Sequence, residues 1–237
     1  ENEDEDRQDD ANLRPLGHEC FSPWGGCSEL AGTLARGSDT VNDAVQRRIM
    51  RITGGKFGGR ALVAPADMRV RPTSDKVRQA LFNILAHRDL GDFSLEGACA
   101  IDLFCGTGAL GLEALSRGAR FCLFVDDDAG SRALVRENIE TLGLTGASKI
   151  WRRDAAELGP VGAGSGGPFD LAFLDPPYRK GLAERCLASL KTGGWLKPGA
   201  VAVVETATGE ILAHDGYDHL DTRDYGETRI VILASAA

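Results

Sequence analysis

The sequence has no apolar run long enough to cross a bilayer and no C-x-x-C pair, and its mostly acidic first ten residues lack the basic-then-apolar start of a signal or transit peptide. The first absence leaves no candidate membrane-spanning helix. The second leaves His18, Cys20 and Cys27 without the companions a zinc site requires, so no metal is expected. The third, with six cysteines that show no disulfide-like spacing, suits a reducing cytoplasm. Cys99, Cys105 and Cys122 lie in or beside apolar, strand-like runs, where cysteine usually serves as a small core residue.

Across 237 residues, 43% hydrophobic content is enough for one medium domain with an appendage. The net charge of −8 is unevenly spread. Residues 1–49 hold 5 Lys/Arg against 11 Asp/Glu, residues 51–88 hold 8 against 2, and residues 89–237 hold 14 against 22. A basic block therefore sits between two acidic ones. Such a local patch can grip phosphates whatever the total charge, although a merely solvated basic face has the same composition.

Residues 1–49 open with Glu1-Asn2-Glu3-Asp4-Glu5-Asp6 and then mix Gly, Pro and Ser with little periodicity, which reads as an acidic, disordered leader. Regular pattern begins at Met50, so the natural start is expected near there, and removal of the leader is expected to spare folding and activity. From Arg51 to Val70, short strand candidates at Ile52-Thr53, Ala61-Leu62-Val63 and Met68-Arg69-Val70 flank the Gly54-Gly55 and Gly58-Gly59 turns, suggesting a small β-hairpin extension over 50–73. Arg71-Pro72-Thr73-Ser74-Asp75 supplies a stop and an N-cap. A helix near 75–87 then places Val77, Ala80, Leu81, Ile84 and Leu85 on one face.

From residue 98 strands and helices alternate: strands near 99–104, 121–126, 148–152, 170–174 and 200–205, with helices near 109–117, 129–142 and 181–191. That spacing indicates a parallel sheet with helices on both faces. Gly162-Ala163-Gly164-Ser165-Gly166-Gly167-Pro168 reads as a flexible surface loop. Asp218-His219-Leu220-Asp221-Thr222 and Arg229-Ile230-Val231-Ile232-Leu233, joined near Tyr225-Gly226-Glu227, read as an antiparallel hairpin that closes the sheet. Residues 74–237 thus form one α/β domain with seven strands, mostly parallel.

Two stretches carry the chemistry. In Asp102-Leu103-Phe104-Cys105-Gly106-Thr107-Gly108-Ala109-Leu110-Gly111, the glycines at 106, 108 and 111 let the chain turn sharply after a strand and bring amides close to a ligand. A dinucleotide site would use this turn to bind a pyrophosphate. Asp102, four residues before Gly106, is poor chemistry for a diphosphate and good chemistry for a zwitterionic, cationic ligand such as S-adenosylmethionine. Asp126, at the end of the next strand, can accept from both ribose hydroxyls, and Asp154, after the third, from an adenine amino group. Phe104 and Ala155 complete the candidate cofactor set. Each aspartate taken alone could equally cap or be solvated; their recurrence at successive strand ends favours a nucleoside.

The second stretch is Asp175-Pro176-Pro177-Tyr178, which leaves the strand Leu171-Ala172-Phe173-Leu174. Two prolines fix φ and remove two N–H donors, so Asp175 and the Pro176 carbonyl form a rigid pair of acceptors. Acceptors about 3 Å from an exocyclic amino group would hold its two hydrogens and aim its lone pair outward. Tyr178 offers an aromatic face to a base taken out of its stack. The four residues are the candidate catalytic set, against the plainer alternative of a proline turn with a buried tyrosine.

From Met50 to the C-terminus the chain resembles the RsmD family of bacterial methyltransferases. The residues that carry the likeness are Met50-Arg51-Ile52-Thr53-Gly54-Gly55-Lys56, the run from Arg71-Pro72-Thr73-Ser74-Asp75-Lys76 to Leu85, the glycine loop with its continuation to Ala119, and Asp175-Pro176-Pro177-Tyr178. The resemblance implies a class I, Rossmann-like S-adenosylmethionine-dependent fold and methylation of the N2 amino group of one guanine in 16S rRNA, within a partly assembled small ribosomal subunit. It also gives the basic block a role: Arg51, Lys56, Arg60, Arg71, Thr73 and Arg78 become candidate RNA contacts. Phe82 is expected in the core. The family often has Glu where this chain has Asp126, and it lacks the acidic leader. A DNA adenine-N6 methyltransferase would use the same acceptors but usually carries a larger recognition insertion. A binding-only RNA module or a nicotinamide dehydrogenase fits the aspartates and the Asp-Pro-Pro-Tyr turn less well.

Overall fold

The computed structural model describes residues 50–65, 74–178 and 180–236. The leader, with His18, Cys20 and Cys27, the strand candidate at 68–70, and Arg71 and Thr73 lie outside those residues. Seven strands form one sheet: β1 (Cys99–Leu103), β2 (Phe121–Val125), β3 (Ser148–Trp151), β4 (Phe169–Leu174), β5 (Leu196–Ala207), β6 (Tyr217–Tyr225) and β7 (Thr228–Ser235). Their order is β3-β2-β1-β4-β5-β7-β6. The first five pair in parallel; β7 runs antiparallel between β5 and β6. The sheet is therefore mixed, and the β6–β7 hairpin turns at the residues expected from the sequence.

Strands buried on both faces read as continuous apolar runs because each face meets a helical layer. On one face, Ala100, Cys122, Phe124, Leu171, Phe173 and Val203 pack with α1 (Asp75–His87), α2 (Ala109–Ser116) and α3 (Ala129–Leu142). On the other, Ile101, Leu103, Leu123, Ala172 and Val204 pack with α4 (Leu182–Thr192) and Trp195. Phe82 is fully buried, 5.7 Å from the ring of Phe173. The Ser74 side chain caps α1 at the Val77 amide, and Asp128 caps α3 at Ser131. Both caps satisfy N–H groups that the first helical turn cannot.

Three segments differ from the sequence reading. β5 begins at Leu196 rather than near 200, because Leu196 already pairs with Phe169 before a register shift absorbs Pro198 and Gly199. The glycine-rich loop is folded on itself: Ser165 is buried and accepts from the Gly167 amide, while Lys149 donates to the Gly164 carbonyl. Of the hairpin expected over 50–73, the described residues 50–65 show one antiparallel bridge, Arg51 to Ala61, around a 3-10 turn at Gly55–Phe57. Among the described residues no helix is long and apolar enough to cross a membrane, and no His/Cys/Asp/Glu group is placed to hold a metal.

Candidate active site

Because β3, β2, β1 and β4 are neighbours in that order, Asp154, Asp126, the glycine loop and Asp175 line up along one edge of the sheet. Open α/β sheets bind ligands at this carboxyl edge. Phe104, at the start of the loop, has φ +57, a conformation costly for a residue with a side chain and typical of functional turns. Gly106 and Gly108 also have positive φ. A Cβ at Gly108 would stand 2.4 Å from Val135 Cγ2, and one at Gly111 2.5 Å from the Phe124 ring. Those two glycines thus serve close helix-to-sheet packing as well as the turn.

Asp102 is 2% exposed, and its Oδ2 accepts from the Gly111 amide at 2.9 Å. Burial, followed by the nearby Asp126 charge, pushes its carboxyl up to about 8, against the Gly111 hydrogen bond that lowers it. It braces the loop from beneath. Asp126 accepts from Gly106 N at 3.0 Å and from Asp128 N at 2.9 Å; burial raises its pKa although both bonds pull it down. Asp154 accepts from Ala156 N at 2.8 Å and is exposed, and Ala155 is buried in the core beside it.

Beyond β4, Pro176 is buried and Pro177 exposed. The Asp175 carboxyl is driven well above the usual range, first by burial and then by the charges of Glu205 and Asp102. Tyr178 is 38% exposed, yet its hydroxyl is tied down: it donates to Glu205 Oε1 at 2.6 Å and lies 3.2 Å from Thr228 Oγ1. A partly exposed ring pinned by its hydroxyl suits stacking. Glu205, 3% exposed on β5, and Thr228 on β7 escaped the sequence reading. Only the glutamate left a trace there, as a charge ending the apolar run Val201-Ala202-Val203-Val204.

Of the RNA candidates, Arg51, Lys56 and Arg60 are exposed on the N-terminal arm. Arg78 is not available to phosphate. It is 0% exposed, its Nη2 donates to Asp75 Oδ1 at 2.7 Å and to the Arg51 carbonyl, and its Nε lies 3.4 Å from Glu113 Oε2. The helix bearing it packs its guanidinium under the arm, so its charge stabilises a carboxylate inside the protein. Glu113, also missed, is the hub: it accepts from Thr53 N, Thr53 Oγ1 and Arg117 Nε, each at 2.7 Å. Its signal was a lone charge within the apolar helix Ala109-Leu110-Gly111-Leu112-Glu113-Ala114-Leu115.

This strand order, a glycine loop after β1, carboxylates after β2 and β3 and a proline-bound acceptor after β4 define a Rossmann-like methyltransferase. A solved structure of the yhhF protein from Escherichia coli superposes with a TM-score of 0.66 at 31% identity, covering 79% of this chain and 98% of that one. The family model described as Conserved hypothetical protein 95 matches residues 50–234, and the chain belongs to that family, the RsmD/YlbH methyltransferases. Ribosomal RNA small subunit methyltransferase D of Escherichia coli K12 is 37% identical over 157 residues, 66% of this chain and 74% of that protein. YlbH of Bacillus subtilis is 35% identical over 185 residues, 77% of this chain and 97% of that protein.

Proposed function

We propose that this protein transfers a methyl group from S-adenosylmethionine to the exocyclic N2 amino group of one guanine in 16S rRNA of the small ribosomal subunit. The observation that carries the reading is the row of strand ends: Asp154, Asp126 and the Asp102-braced loop beside Asp175 and Tyr178. Three carboxyls there, Asp102, Asp126 and Asp175, have raised pKa values. Such a set fits a ligand that brings its own positive charge and hydroxyl donors.

In this reading Asp154 accepts from the adenine amino group and Asp126 from the ribose hydroxyls, while Asp102 holds the loop and faces the ammonium end. S-adenosylmethionine, when bound, supplies an electrophilic methyl carbon on a sulfonium. Asp175 and the Pro176 carbonyl accept the two N2 hydrogens and keep the lone pair of nitrogen directed outward. In the transfer the S–C bond to the methyl would break as the N2–C bond forms, S-adenosylhomocysteine would be the leaving group, and Asp175 would take the proton that N2 releases. Its raised pKa makes it a better acceptor than an ordinary carboxylate. Tyr178 supplies the face on which the flipped base rests. The arm 50–73, through Arg51, Lys56, Arg60, Arg71 and Thr73, contacts RNA in a partly assembled subunit, on a methyltransferase domain 74–237 and independently of the leader 1–49.

The test is methylation of small-subunit particles with labelled cofactor, followed by mapping of the modified base. N2-methylguanine is the expected product, and N6-methyladenine would overturn the assignment. With Asp175→Ala, transfer is expected to vanish while calorimetric binding of S-adenosylmethionine survives. Full activity in that variant would remove Asp175 from the mechanism.

A further inference from the structure

Asn138, on the α3 face turned toward the sheet, is 1% exposed and uses both ends of its amide on the backbone of two separate segments. Its Oδ1 accepts from the Val63 amide at 2.7 Å. Its Nδ2 donates to the Val63 carbonyl and to the Thr107 carbonyl, each at 3.0 Å. An N–H on one side and two carbonyls on the other leave the amide one satisfactory orientation. Thr107 stands between Gly106 and Gly108 in the glycine loop, and Val63 belongs to the second strand-like stretch of the arm. The first stretch reaches the same loop residue: Thr107 Oγ1 lies 3.4 Å from Met50 Sδ. Met50 and Val63 flank the Arg51–Ala61 bridge, and the Leu62 amide donates to the Met50 carbonyl at 2.8 Å.

We propose that Asn138 is a positioning residue that couples the cofactor loop to the RNA-facing arm, so that occupancy of one site strengthens binding at the other. The coupling rests on the reading of the loop as the S-adenosylmethionine site and of the arm as an RNA contact. A ligand that orders the loop fixes the Thr107 carbonyl, through it the Asn138 amide, and through that both backbone polar groups of Val63. By reciprocity, RNA that fixes the arm orders the loop. The arm has a separate anchor in Glu113, Ser116 and Arg78, where the Phe57 amide donates to Ser116 Oγ at 2.9 Å. Loss of the Asn138 amide therefore leaves the arm docked while removing its hydrogen-bonded link to the loop, with only the 3.4 Å Thr107–Met50 contact, a weak one to a thioether sulfur, still joining the two.

The experiment measures binding of small-subunit particles with and without saturating S-adenosylhomocysteine, in the wild-type protein and in Asn138→Ala. In the wild type the nucleoside is expected to tighten particle binding at least about fivefold. In Asn138→Ala that factor falls to within about twofold of unity, while S-adenosylhomocysteine alone binds within about tenfold of wild type. An unchanged factor in the variant, or no factor in the wild type, overturns the proposal. A second measurement needs neither variant nor RNA. Hydrogen exchange at the Ile52, Gly59, Leu62 and Val63 amides of the wild type is expected to slow on adding S-adenosylhomocysteine, and unprotected amides would equally overturn it. If the wild type fails to bind particles at all, the RNA reading falls, and the exchange result still decides the coupling.

Discussion

Glu205 shows how a single buried carboxylate can shape a site from behind. It receives the Tyr178 hydroxyl at 2.6 Å, and its charge helps to hold the Asp175 carboxyl above its ordinary range. Asp175 is an acceptor in its ionised form, so activity should rise with pH as that raised pKa is passed. Removing the Glu205 charge while keeping an amide oxygen for the tyrosine lowers the Asp175 pKa. In Glu205→Gln the acid limb of the kcat profile is therefore expected to move to lower pH. A limb that stays in place would show that the two carboxyls are not coupled during turnover. Asp175 was evident from its four-residue motif, but Glu205 was not, since 27 residues separate it from Tyr178 and only strand pairing brings them together.

The arm and α2 show the same dependence at the scale of elements. The Gly54-Gly55 pair looked like a turn, and the chain does turn there. What composition could not show is that Gly55, at φ +74, lies so close to α2 that a Cβ would stand 1.9 Å from the Ser116 carbonyl oxygen. Gly55→Ala is expected to destabilise arm docking by about 2–3 kcal/mol through a left-handed backbone and a backbone clash. Faster proteolysis between residues 50 and 65, with the sheet intact by circular dichroism, would report it; wild-type resistance would contradict it. Arg78 teaches the complementary lesson. In a basic block every guanidinium has the same sequence signature, but one on the packed side of a helix is neutralised internally by Asp75 and Glu113.

For the molecule as a whole, the net charge of −8 conceals a basic arm on an otherwise acidic domain. If Arg60, which is exposed, meets a phosphate, Arg60→Ala should weaken particle binding and reduce the magnitude of the log–log salt slope by about 1. An unchanged slope would take Arg60 out of the interface. The alternation of strands and helices, the N-cap before the first helix, the closing hairpin and the two motif loops were all legible in the sequence. They depend on local periodicity, turn chemistry and proline geometry, which act over a few residues. The strand order, the insertion of β7 between β5 and β6, the burial of Arg78 and the polar links at Glu113, Asn138 and Glu205 were decided only by the tertiary structure. The links at Asn138 and Glu205 join residues 27 to 75 positions apart, and a buried polar group of that kind finds its partner only when distant segments are packed against it.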